Sequence, residues 1–457
     1  MKIYSINPAS ESVNKEYDYM SSETIMELLD QSQNAFEEWR KVDLKEKCDL
    51  FKKVATVLRN DKQRYAELMV KEMGKPIKQA IAEVEKCAWT CEVYADRTED
   101  WLRDEIVNAD GKEHIVIFQP LGVILSIMPW NFPFWQVFRF AIPSIIVGNT
   151  SILKHSNNVP GCALAIEEVF TKAGFPNGVF TSILSSHQNV GILIESDVVQ
   201  GISLTGSTDV GAKIAELAGK HLKKVVLELG GSDPFIILKD VDIDFVVKNA
   251  VFGRTQNNGQ SCIAAKRFIV HSSIIDQFGQ KFAEAIGNLK VGDPINPEVD
   301  IGPMANIGEF ELIKSQIDDA KNNNAKFLTG GEVLDQPGYY VTPAVVTNVN
   351  SNMRIIKEEV FGPVAPLIAF ETEEEAIKIA NSTEFGLGAS VWSKDEELAR
   401  RIAINLQAGS VFVNSFVKSD PRMPFGGVKK SGIGRELSKY GLKEFVNVKG
   451  LNIYSHN

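Results

Sequence analysis

Residues 257–267 read NNGQSCIAAKR and set one cysteine, Cys262, behind a run of small or polar residues. Such residues build tight loops rather than core elements. A thiol carried on a loop can expose its sulfur and meet backbone N–H donors, the setting in which a thiolate acts as a nucleophile. The remaining cysteines, Cys48, Cys87, Cys91 and Cys162, lie in helical patterns and read as small buried hydrophobes. Metal ligation is a poor alternative for Cys262. The six histidines are scattered with no shared ligand spacing, and Cys87 and Cys91, four apart on a helix, have no partners nearby. A cysteine-protease arrangement stays open, although spacing names no histidine to orient the thiol.

Further reactive groups follow short apolar runs. From about residue 120 the runs GVILSIMPW, TSILKH, GVFTSIL, GISLTG and KVVLELGG alternate with helical stretches, the pattern of a parallel sheet with crossover helices. Ligands bind such sheets beyond the carboxyl ends of the strands. At those ends stand Asn131 between Pro129 and Pro133, then Lys154, the segment from Gly206 to Gly211, and Glu228 ahead of Gly230 and Gly231. The Gly206 segment opens a helix with an apolar face of Val210, Ile214 and Leu217, and its free N–H groups suit an anion such as a cofactor phosphate. It matches neither the dinucleotide GxGxxG nor a P-loop. The plain structural readings are a strand-end salt bridge for Glu228 and a solvated strand end for Lys154.

These groups need a frame. The first hundred residues read as helices, as in DLFKKVATVLRNDKQRYAELMVKEM at 49–73, where apolar residues recur at helical spacing. A second strand series, RFIVH, APLIAF, ASVWS and SVFVN, follows residue 266. Two α/β domains are the economical reading, with Gly- and Pro-rich loops at 292–305 and 419–434 of the kind that carries function. A chain of 457 residues with 44% hydrophobic content buries a sizeable core. Its net charge of -10 excludes a nucleic-acid or anionic-membrane surface, so small molecules are the expected partners. Five cysteines without CxxC spacing point to reduced thiols and a cytoplasmic location. No apolar leader opens the chain and no window nears the ~18 apolar residues of a membrane span, so secretion and anchoring are not expected.

Taken in order, PWNFPF, LKHSNNVPG, LTGSTDVG, LELGGSDPFI, NNGQSC and EEVFGPV resemble the aldehyde dehydrogenase superfamily over essentially the whole chain. The stretch KSDPRMPFGGVKKSGIGRE is most similar to the short bacterial and archaeal succinate-semialdehyde dehydrogenases. The resemblance implies an α/β fold with a Rossmann-like cofactor domain at 1–100 and 121–230, and an α/β catalytic domain at 231–436. A small β bridging arm at 101–120 and 437–457 would pair subunits into a homodimer or homotetramer. It further implies NAD(P)-dependent oxidation of a short anionic aldehyde, succinate semialdehyde first and lactaldehyde or another small aldehyde second. Acylation of coenzyme A is a less favoured outcome, because Glu228 occupies the position of the hydrolytic base.

By the same resemblance Cys262 is the nucleophile, Asn131 the oxyanion donor and Glu228 the general base, with no metal. Trp130, Gly206, Ser207, Gly211 and Phe361 would line NAD or NADP, while Lys154 and Glu359 would hold its ribose hydroxyls. Asn157 stands where NAD-selective relatives carry a glutamate, so no like charge opposes a 2'-phosphate, to which Lys154 and Ser156 could donate. Arg139 and Ser419 match residues that grip the substrate carboxylate, whereas Gln256 replaces a further arginine of many such enzymes.

Overall fold

The computed structural model describes residues 2–456, the side chains of 187 and 188 excepted. Two large sheets, a three-stranded arm and a two-stranded hairpin organise the described residues. The first sheet runs Gly432–Ile433, Lys224–Glu228, Val199–Thr205, Val123–Met128, Thr150–His155 and Phe180–Ile183 in spatial order, all parallel except the antiparallel edge strand Gly432–Ile433. Its central strands Val123–Met128 and Thr150–His155 are almost wholly buried, because helices cover both faces. Alternate side chains divide between those faces. Ile124, Met128 and Leu153 pack with the helices Leu44–Asn60, Lys62–Met73, Ile77–Trp101, Trp135–Ile146 and Pro160–Ala173, while Val123, Leu125 and Ile152 meet Ser22–Trp39 and the helices after the later strands.

The second sheet runs Lys326–Thr329, Ala344–Thr347, Val364–Phe370, Ala265–His271, Asp233–Ile237, Gly388–Trp392 and Ser410–Val413, with only Lys326–Thr329 antiparallel. Phe235, Phe268 and Val270 form one of its cores, and Ile236, Ile269 and Val391 the other. Strands therefore change from the first sheet to the second between Glu228 and Asp233, except that Gly432–Ile433 returns to the first sheet's edge. That return brings the loop around Gly426 against Glu228.

Glu105–Ile106, Glu113–Pro120 and Val446–Ile453 form a three-stranded antiparallel arm. One expectation needs correction: the first hundred residues are not all helical, since Lys2–Ile6 and Val13–Asp18 pair as an antiparallel hairpin. In KIYSI every second residue is buried, an alternation too short to stand out ahead of four helices.

Candidate active site

The loop that carries Cys262 has a conformation its residues are suited to hold. Asn257 and Asn258 have φ of 58° and 59°, left-handed values that asparagine tolerates better than most residues. The Asn257 Nδ2 donates to the carbonyls of Asn131 at 2.7 Å and Gln260 at 2.9 Å, and its N–H donates to Gln79 Oε1 at 2.7 Å. Asn258 Nδ2 donates to the carbonyls of Gly74 and Pro303, both at 2.9 Å, and its Oδ1 accepts from the Gly302 N–H at 2.8 Å. At Gly259, φ is 76° and a Cβ would lie 2.5 Å from the Gly362 carbonyl carbon, so a side chain is excluded on both counts. The buried Arg254 donates to the carbonyls of Gly259, Ala265 and Val360 at 2.8, 2.9 and 3.2 Å. The thiol loop is thereby tied to the segment bearing Glu359 and Phe361.

Lys266 completes the support. Its Nζ donates to the carbonyls of Ser261 at 2.9 Å and Cys262 at 2.6 Å and pairs with Glu359 at 3.1 Å. Among the described residues the Cys262 N–H donates to no other group, which leaves it free beside the sulfur.

Asn131 lies in the proline-bracketed turn that leads into the helix Trp135–Ile146. Glu83 fixes that turn: its Oε1 accepts from the N–H groups of Phe134 and Trp135, both at 2.9 Å, and its Oε2 pairs with buried Lys75. A carboxylate there meets the unpaired donors and positive dipole of a helix start. Gln136 Nε2 donates to Asn131 Oδ1 at 3.3 Å, and Asn131 Nδ2 donates to the Gln260 carbonyl at 3.1 Å. The amide nitrogen thus faces the thiol loop with one hydrogen to give.

A cleft of about 240 Å³ brings together Trp130, Asn131, Gly206, Ser207, Cys262, Glu359 and Phe361. Trp130 and Phe361 stand edge to face in it, with centroids 5.7 Å apart. Ser207 caps the helix Thr208–Lys220, and a Cβ at Gly211 would stand 2.5 Å from the Leu229 side chain, so glycine lets this helix pack closely against Leu229. Lys154, Ser156 and Asn157 adjoin one another outside that lining. The Lys154 Nζ donates to Asn157 Oδ1 at 3.1 Å, Asn157 Nδ2 donates to the Tyr19 hydroxyl at 2.9 Å, and the Ser156 hydroxyl donates to Asn158 Oδ1 at 2.5 Å. Burial pulls the Lys154 ammonium down to about 8, and no carboxylate among the described residues pairs with it.

The electrostatics are those of a dry site. Burial pushes the Cys262 thiol up to about 12, against the opposing charges of Arg139 and Lys266. Glu228 is 2% exposed, and burial, reinforced by Glu436, holds its carboxyl well above the usual range while Arg139 and Arg435 pull it down. Neither Glu228 oxygen has a hydrogen-bond partner among the described residues. Oε1 points at the Gly426 backbone, where a Cβ would stand 2.6 Å away, so the carboxyl packs behind the cleft rather than lining it.

Gly211 and the two residues expected at the substrate carboxylate also lie outside the cleft lining. Arg139, expected at the substrate carboxylate, pairs with Glu436, donates to Thr205 Oγ1 at 3.3 Å and stacks 4.6 Å from the Phe425 ring centroid. Ser419 accepts from Lys86 Nζ at 2.6 Å. Glu83, Lys86, Lys266 and Glu309 were not singled out from the sequence. Glu309 lines the cleft, and burial followed by the Glu359 charge raises it to about 7. Only Lys266, four residues past Cys262, stood close enough in sequence to be noticed.

With this geometry in view, the comparisons identify the class: the chain belongs to the aldehyde dehydrogenase family, whose model matches residues 1–451. A probable succinate-semialdehyde dehydrogenase [NADP(+)] of Synechocystis is 47% identical over 449 residues, covering 98% of this chain and 99% of that protein. The succinate semialdehyde dehydrogenase [NAD(P)+] of Escherichia coli is 42% identical over 444 residues, 97% of this chain and 96% of the relative. The crystal structure of succinic semialdehyde dehydrogenase from Streptococcus pyogenes in complex with NADP+ superposes with a TM-score of 0.97 at 38% identity, covering 99% of this chain and all of that one.

Proposed function

We propose that the protein oxidises succinate semialdehyde to succinate with NADP or NAD. The observation that carries the chemistry is the convergence of Asn131 Nδ2 and the free Cys262 N–H on the sulfur's own cleft. Full-length relatives that bear this activity in name support the substrate.

The residues fit the cofactor. Aromatic walls, a capped helix start and the buried, unpaired cation Lys154 offer the apolar and positive surroundings a phosphorylated nicotinamide ligand needs. When bound, the nicotinamide supplies the hydride acceptor. The protein's own part is then specific. The Cys262 thiolate, favoured by Arg139 and Lys266, adds to the aldehyde carbon, and the oxyanion so formed accepts from Asn131 Nδ2 and the Cys262 N–H. After oxidation the succinyl group is a thioester on Cys262. Glu228, turned from Gly426 toward the cleft, takes a proton from the water that hydrolyses it, a task that needs the raised pKa its burial provides.

Exposed Ile106, Val448 and Leu451 on the three-stranded arm support pairing of subunits, as a homodimer or homotetramer. Free thiols at all five cysteines support a reducing, cytoplasmic location. No described helix is long and apolar enough to cross a membrane. The function is tested by following nicotinamide reduction across a panel of aldehydes with each cofactor: succinate semialdehyde should give the highest kcat/KM, and a higher value for an uncharged aldehyde would refute the assignment.

A further inference from the structure

The peptide that joins Ser261 to Cys262 carries the free N–H beside the sulfur, and its carbonyl end is well supplied with donors. Ser261 O accepts from the Ala264 N–H at 3.1 Å and from Lys266 Nζ at 2.9 Å. The same Nζ donates to the Cys262 carbonyl at 2.6 Å and pairs with Glu359 Oε1 at 3.1 Å. That carboxylate oxygen is steadied in turn by the Gly231 N–H, also at 3.1 Å. The Lys266 side chain is 1% exposed, so its ammonium hydrogens are spent on these three acceptors inside the protein.

Bracing a loop does not require a charge, and burying a cation costs free energy. The placement of Lys266 gives its charge a task. A donor at a carbonyl draws electron density through the peptide and strengthens the N–H at the other end, the more so when the donor is charged and the surroundings are dry. The N–H opposite the Ser261 carbonyl is that of Cys262, which donates to no other group among the described residues. The second donor facing the thiol is polarised more weakly, since Asn131 Oδ1 accepts from the neutral Gln136 Nε2 at 3.3 Å. Arg254, the other buried cation of the loop, donates there to the carbonyls of Gly259 and Ala265 and leaves this peptide alone.

We propose that Lys266 polarises the Ser261–Cys262 peptide and thereby makes the Cys262 N–H the stronger of the two oxyanion donors. Lys266 does not line the cleft; it is a positioning residue that acts through the peptide. The inference rests on the proposed chemistry at Cys262. It gives Lys266 a share in stabilising the oxyanion, separate from any effect of its charge on the thiol.

Two reactions of Cys262 in the cofactor-free enzyme separate these effects. Both need the thiolate, but attack on p-nitrophenyl acetate builds an oxyanion whereas alkylation by iodoacetamide builds none. The test is the ratio of the second-order rate of the p-nitrophenolate burst to that of alkylation, at one pH, for the wild-type enzyme, Lys266→Met, Lys266→Gln and Lys266→Arg. The two neutral variants should lower the ratio roughly ten-fold, and Lys266→Arg, which keeps the charge, should restore much of it. A ratio within about three-fold of wild type in the neutral variants overturns the inference, including the case in which both rates fall together, which would make Lys266 a brace of the loop or a modulator of the thiol alone. If Lys266→Met does not fold, Lys266→Gln and Lys266→Arg decide, and equal ratios in that pair overturn the inference. Failure of the underlying reading looks different: esterase activity that survives complete alkylation of Cys262 would remove Cys262 as the nucleophile whatever Lys266 does.

Discussion

Arg139 and Glu436 form an ion pair shielded from water, and the Glu228 carboxyl stands within the field of both. Removing one partner of a buried pair leaves the other charged and desolvated, at a cost of about 3–5 kcal/mol. Arg139→Met should therefore lower stability to urea by that order and reduce kcat/KM for succinate semialdehyde and butyraldehyde alike. The sign at Glu228 is fixed as well. Arg139 lowers its pKa, so the substitution should raise it further and move the rise of hydrolytic turnover to higher pH. A loss confined to succinate semialdehyde would return Arg139 to the role of carboxylate anchor.

Under the proposed function, cofactor discrimination turns on Asn157, a neighbour of Lys154. Its Nζ donates to Asn157 at 3.1 Å, so a glutamate at 157 would meet the same ammonium and present a negative charge to a 2'-phosphate. Asn157→Glu should reduce kcat/KM with NADP about ten-fold or more beyond any change with NAD. Steady-state kinetics with both cofactors reads this directly, and parallel losses would place residue 157 away from the ribose.

The resting thiol should be protonated. Cys262 is raised to about 12, so thiolate content climbs with every step in pH across the working range. The rate of iodoacetamide labelling at Cys262 in the cofactor-free enzyme, followed by peptide mass spectrometry, should increase about ten-fold per pH unit from about pH 7 to about pH 9. The four other cysteines are buried and should label far more slowly. A rate already flat at neutral pH would show a thiolate formed at rest.

Gly259 tests the loop itself. With φ at 76° and only 2.5 Å available for a Cβ, Gly259→Ala should displace the thiol loop, lowering Tm and cutting esterase and dehydrogenase rates together. An alanine variant with unchanged Tm and rates would mean that the segment at 362 yields without consequence.

Some of this arrangement was legible in the residues. The apolar runs after residue 120 marked the strands of the first sheet, and the polar groups placed at their ends include Asn131 and Gly206, which share the cleft with Cys262. Asn257, Asn258 and Gly259 announced an irregular loop because those residue types suit left-handed backbone. The hairpin Lys2–Ile6 and Val13–Asp18 was not legible, since five alternating residues carry too little signal. Nor was the pairing of Arg139 with Glu436, almost three hundred positions away, which depends on the strand Gly432–Ile433 returning to the first sheet.

The central claim is that Cys262 carries the substrate through a thioester that Glu228 releases. It is tested most directly by mixing Glu228→Gln enzyme with succinate semialdehyde and NADP, quenching in acid and mapping peptides by mass spectrometry. A burst of reduced cofactor near one equivalent per site, accompanied by one succinyl group on the Cys262 peptide, is the expected result. Steady turnover at the wild-type rate, or a succinyl group on any peptide other than that of Cys262, would contradict it.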